Sequence, residues 1–114
     1  MHEYPVTQQI VQVAVETGNK NSALKVTKIV IVVGELSGFI GESIQMYFDI
    51  LSKGTIAENA QIIIQPVKPK LRCSLCGIYF ERKLYSFLCP ECGGDGHPSE
   101  IGKEFYIENI EIEN

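Results

Sequence analysis

The sequence predicts an α/β fold: two helices on a three-stranded sheet, with a zinc-ribbon-like four-cysteine module inserted before the last strand. Three observations carry that expectation. Apolar residues recur at helical spacing in two segments. β-Branched residues crowd into two short runs and an alternating C-terminal run. The four cysteines of the chain stand as two CxxC pairs, Cys73 with Cys76 and Cys89 with Cys92. A length of 114 residues suits one domain, or one domain with a small insert.

The first helix is expected to open at Pro5, where a missing N–H is harmless. Val6, Ile10, Val13 and Ala14 then share a face as far as Thr17, and Gly18-Asn19 is expected to stop it. Val26–Val33 is apolar almost throughout, as a strand covered on both faces would be. Gly34, Gly38 and Gly41 punctuate a loop. Ile44, Tyr47, Phe48 and Leu51 make a second amphipathic helix, closed near Lys53-Gly54. Gln61–Val67 reads as an edge strand, ended by Pro66 and Pro69. The last strand runs from Glu104 to Glu113. Its apolar set moves from Phe105 and Ile107 to Ile110 and Ile112, so a β-bulge is expected at Asn109. The expected domains are residues 1–69 with 99–114, and an inserted module at 70–98.

The cysteine spacing is C-x2-C-x12-C-x2-C. Two chelating pairs across a short loop form a tetrahedral four-thiolate site, and zinc is the ion such a site most commonly holds. Cysteine pairs in a chain of cytosolic character bind metal more often than they form disulfides. Gly77 and Gly93 follow the second cysteine of each pair and let the turn tighten, so that backbone N–H groups reach the sulfurs. Four thiolates leave no open position for water, which argues for a structural site rather than a catalytic one. Such a site replaces a hydrophobic core in a segment too small to build one. Lys68, Lys70, Arg72, Arg82 and Lys83 flank the first pair and could offset its negative charge.

The net charge is −4 and 45% of residues are hydrophobic, which is enough for a core outside the cysteine segment. The longest apolar run, Ile29–Val33, is far too short to span a membrane. Met1-His2-Glu3-Tyr4-Pro5 lacks the features of a signal peptide, so the expected location is the cytoplasm. No nucleophile–base constellation is visible, and Gly93-Gly94-Asp95-Gly96 lacks the ending of a phosphate loop, so no enzyme is expected.

The N-terminus is a second candidate metal site. The Met1 amine, the His2 amide and the His2 imidazole can close adjoining chelate rings on one ion, with the Glu3 amide a further donor. Nitrogen ligands in a plane suit Ni(II) or Cu(II). Taken alone the motif is weak, because a frayed terminus can carry the same residues.

Met1-His2-Glu3 opening onto the first helix, Gly34-Glu35-Leu36-Ser37-Gly38 after a Val-rich strand, Lys53-Gly54-Thr55-Ile56-Ala57-Glu58 after the second helix, the two CxxC pairs and an acidic last strand occur here in one order. In that order the chain resembles the HypA/HybF family, the nickel metallochaperones of [NiFe]-hydrogenase maturation, over essentially its whole length. The resemblance implies that Met1, His2 and Glu3 bind Ni(II) as transferred cargo, and that Cys73, Cys76, Cys89 and Cys92 hold a structural Zn(II). It also implies a HypB-type GTPase partner, delivery to the hydrogenase large-subunit precursor and, in some organisms, service to urease. His97, on the Gly-rich stretch after the second pair, is either a solvated loop residue or an additional nickel ligand. A domain-swapped homodimer is conceivable at the hinge-like insert.

Two other classes fit parts of the chain. Basic residues interleaved with Tyr79, Phe80 and Tyr85 suit a zinc-ribbon module that binds nucleic acid or another protein, but the acidic balance opposes nucleic acid. Iron in the same four thiolates would make a rubredoxin-like electron carrier.

Overall fold

The structure, a computed structural model, describes residues 3–114. Helix α1 (Glu3–Lys20) is followed by strand β1 (Lys25–Gly34), helix α2 (Gly41–Leu51) and strand β2 (Gln61–Val67). Three short strands, β3 (Leu71–Cys73), β4 (Tyr79–Phe80) and β5 (Gly96–Pro98), belong to the cysteine segment, and β6 (Phe105–Glu113) closes the chain. There are two sheets, with strand orders β2-β1-β6 and β4-β3-β5.

β1 and β2 pair in parallel from Lys28 with Gln61 to Gly34 with Val67, and α2 supplies the crossover that a parallel pair needs. β6 pairs antiparallel on the other side of β1. The apolar β1 sequence is explained by that central place. Its residues Ile29, Ile31 and Val33 join Ile10, Val11 and Ala14 of α1 and Ile44 and Phe48 of α2 in one core. Both helices therefore lie on one face of the sheet. Val30 and Val32 point to the opposite face and are also buried.

Two departures from the expected elements have local causes. Gly18 does not stop α1, which continues to Lys20. Its role is packing: a Cβ there would lie 2.6 Å from Ile56 Cδ1. The helix then ends through Asn21, whose side-chain amide donates to the Thr17 carbonyl at 2.8 Å, and through Ser22, which takes a positive φ of 55°. In β6 the register moves where Val30 faces Asn109 and Ile31 faces Ile107, so the extra residue is Glu108, beside the expected position. A second shift, at Thr27 of β1, left no mark in the hydrophobic pattern.

The insert joins the core through a hydrogen-bonded neck. The Leu36 N–H donates to Gly102 O at 2.7 Å, Glu35 N–H to Val67 O at 2.9 Å, and Gly34 N–H to Glu104 O at 2.7 Å. One loop thus ties both connecting strands together. The approach is so close that a Cβ on Gly34 would fall 2.1 Å from the Gly102 carbonyl oxygen.

Candidate metal centre

The two CxxC segments fold into two turns of the same build. Gly77 donates to the Cys73 carbonyl at 3.2 Å, and Gly93 to the Cys89 carbonyl at 3.0 Å. The two glycines have φ of 79° and 77°, a conformation that only glycine adopts without strain. Backbone N–H groups of Leu75 and Cys76 donate to Cys73 Sγ at 3.3 and 3.4 Å, and Glu91 donates to Cys89 Sγ at 3.4 Å. The first cysteine of each pair is buried and the second is exposed.

The turns face each other and bring the four sulfurs within 4.8 Å of one another. Cys73 Sγ lies 3.4 Å from Cys92 Sγ, and Cys76 Sγ 3.7 Å from Cys89 Sγ. These gaps are far wider than the roughly 2.05 Å of a disulfide. They match the edge of about 3.8 Å of a tetrahedron with arms of roughly 2.3 Å, the Zn–S distance. Among the described residues this is the one group of His, Cys, Asp or Glu side chains able to hold a metal ion.

Little else holds the segment together. Its buried cluster consists of Cys73, Phe80 and Cys89, with Leu71 packed against it. Gly94 keeps the second turn close: a Cβ there would sit 3.0 Å from Cys73 Sγ. The thiols themselves are not equivalent. The Cys76 N–H, with that of Leu75 and the neighbouring thiols, draws Cys73 down to about 6. The Ile78 N–H favours the Cys76 thiolate, but partial desolvation and the sulfurs of Cys73, Cys92 and Cys89 outweigh it and push that thiol up to about 12. A divalent ion reverses this repulsion by binding all four as thiolates.

His97 is not in a loop. It occupies β5 opposite Arg72 and shares an open hollow of about 430 Å³ with Cys76, Ser74 and Gly77. The structure thus sets it beside the first cysteine turn. On the other side of Arg72 stands Tyr79, whose ring the guanidinium approaches to 5.4 Å and whose hydroxyl donates to Glu100 Oε1 at 2.8 Å. Glu100's own backbone N–H, that hydroxyl, Arg72 and Lys103 hold the Glu100 carboxyl below the usual range, and the same contact raises Tyr79. No pattern in the sequence signals this cluster, because its members come from three separate segments.

Of the N-terminal candidates, Met1 and His2 lie outside the described residues. Glu3 is buried in the first turn of α1, and its carboxylate accepts the Ile40 N–H at 3.1 Å. That bond fastens the start of α1 to the residue capping α2. It was not foreseeable from spacing, since the donor is a main-chain group 37 residues away.

Comparison with known proteins gives a consistent family. Residues 1–112 match the family model described as "Hydrogenase/urease nickel incorporation, metallochaperone, hypA". The chain is 47% identical over 114 residues to the hydrogenase maturation factor HypA of Caldanaerobacter subterraneus subsp. tengcongensis, covering 99% of this chain and 100% of that one. It is 34% identical to that of Dehalococcoides mccartyi, over 100% of this chain and 96% of the relative. Its fold is that of a solution structure of HypA protein, with TM-score 0.75, 23% identity and coverage of 98% and 96%. A solution structure of the Ni metallochaperone HypA from Helicobacter pylori aligns with TM-score 0.63 and 22% identity, over 99% and 98%. The Met-His-Glu opening, the paired cysteine turns and this full-length match agree, and the chain belongs to the HypA family of nickel-incorporation metallochaperones.

Proposed function

We propose that this chain binds Ni(II) through Met1, His2 and Glu3 and delivers it, with a HypB-type GTPase, to the [NiFe]-hydrogenase large-subunit precursor. Cys73, Cys76, Cys89 and Cys92 hold a structural Zn(II) that folds the module at 70–98, and residues 1–69 with 99–114 form the nickel-binding domain. The chain acts in the cytoplasm as a carrier and performs no catalysis itself. The observation that carries this reading is the family match, which runs from the Met-His-Glu segment through both cysteine pairs. The chemistry of the donors agrees with it: nitrogen atoms from amine, amide and imidazole suit Ni(II), and four thiolates suit Zn(II). One oxygen of the Glu3 carboxylate accepts the Ile40 N–H, which supports a positioning role for the side chain. His97 stands as a candidate additional nickel ligand, and an unchanged nickel spectrum in His97→Ala would remove it.

The test is a Ni(II) titration of the zinc-loaded protein with its native Met1 terminus, beside His2→Ala and a form extended by one residue. One site lost in both altered forms, with absorption from planar nitrogen coordination, is the expected result. Equal binding by all three would place nickel elsewhere and overturn the reading. Delivery is checked by nickel transfer from the loaded protein to the large-subunit precursor, with and without the GTPase.

A further inference from the structure

Where the insert meets the core there is a cavity of about 200 Å³ that none of the metal chemistry uses. Leu71 of the insert, Leu36 of the loop after β1, and Pro69 of the neck form its apolar walls. Pro98, Ser99 and three cations, Lys70, Arg82 and Lys103, complete its lining. None of the three has a salt-bridge partner among the described residues, where the pairs are Lys25 with Glu113 and Lys28 with Glu111. Arg82 is held in place by stacking 4.4 Å above the Phe87 ring. Of the acids near Lys103, Glu100 accepts the Tyr79 hydroxyl and feels Lys103 only through its field, and Glu104 accepts the Gly102 N–H at 2.8 Å.

Size and charge decide what could enter. The volume is below the roughly 300–1,000 Å³ of sites that enclose whole small molecules, but ample for one aliphatic side chain. Leu36, one of the walls, is 56% exposed, and Phe87, the ring under Arg82, is 54% exposed. Six of the ten basic residues, Lys68, Lys70, Arg72, Arg82, Lys83 and Lys103, fall in the segment that contains this cavity, although the chain is acidic as a whole. A basic ring around an apolar socket complements an acidic ligand with an apolar anchor.

We propose that this cavity receives an acidic segment of a partner protein, which inserts one aliphatic side chain between Leu36 and Leu71 while its carboxylates meet Lys70, Arg82 and Lys103. Because the walls come from both the core and the insert, a bound segment grips the two at once. The proposal does not depend on nickel binding.

Two fluorescein-labelled heptapeptides test it on the zinc-loaded protein by anisotropy, at about 20 mM salt, where attraction between charges is least screened. Gly-Asp-Glu-Leu-Glu-Asp-Gly is the probe, and the same peptide with alanine for leucine is its control. The leucine peptide is expected to bind about tenfold or more tightly than the control, the effect of burying the larger side chain. Arg82→Glu and Lys103→Glu, made separately and checked for full zinc content, are each expected to weaken it several-fold. Amide shifts on binding are expected to centre on Leu36, Leu71 and Lys103. Equal binding of both peptides would reduce the effect to charge alone and overturn the socket. Binding unchanged in both variants, shifts confined to other surfaces, or hexanoate binding as tightly as the peptide would each overturn it as well.

Discussion

The α/β core and the cysteine module are held together by different means. The core buries twelve residues around Ile29, Ile31, Ile44 and Phe48, with nine more partly buried side chains packed on them. The module's buried cluster has three residues, two of which are cysteines. Burying one large aliphatic or aromatic side chain contributes about 1.5–3 kcal/mol, so the core can exceed its ordering entropy by packing and the module cannot. The difference teaches where stability can come from: apolar area on one side of the neck, and on the other four clustered sulfurs able to bind a metal ion.

The sharpest way to break that contrast is to remove the metal. Cys73→Ser, or a strong chelator, is expected to abolish the ordered amide signals of residues 71–98 while the helical circular dichroism of α1 and α2 persists. Loss of both together would show that the core depends on the metal too. The converse change is Phe48→Ala, which empties a fully buried site at the centre of the core. It is expected to cost about 3–5 kcal/mol in denaturant unfolding and to leave metal binding at the four cysteines unchanged.

The neck connects the two regimes. Gly34→Ala would force a methyl onto the Gly102 carbonyl. A loss of about 1–3 kcal/mol is expected, as for overpacking elsewhere, with altered shifts on both sides of the neck. Shifts confined to β1 would mean that the loop gives way locally.

Proton competition sharpens the metal side. In the metal-free module Cys73 is drawn down to about 6, so its thiolate form is present above that value and lost below it. Metal uptake then displaces one more proton below about pH 6 than above it. The plot of log affinity against pH is expected to steepen there by one unit, about 1.4 kcal/mol per pH unit. A constant slope through that range would show that Cys73 does not titrate there. The smallest effect is at the sheet edge. Lys28 and Glu111 pair at 3.4 Å on the surface, and Glu111→Ala is expected to cost under about 1 kcal/mol, less in high salt.

Much of this division was legible in the sequence, for reasons that differ by region. The periodic positions of α2, the β-branched run of β1 and the shift of phase in β6 each report a local pattern, and each marks an element of the core. The cysteine spacing marks the metal group because chelation demands that geometry. What escaped was non-local. Gly18 reads as a stop until Ile56 is seen against it. The Glu3–Ile40 bond, the Tyr79–Glu100 contact and the neck join segments far apart in sequence. β3, β4 and β5 are two or three residues long, too short to show any period.

The sheet order β2-β1-β6 has a consequence for synthesis. The strand that completes the core, Phe105–Glu113, leaves the ribosome only after the whole cysteine segment has emerged. β1 must wait with one edge open through that interval, and an open edge is where chains mispair. The cysteine segment is thus complete, with all four of its sulfur donors, before the strand that closes the core has been made.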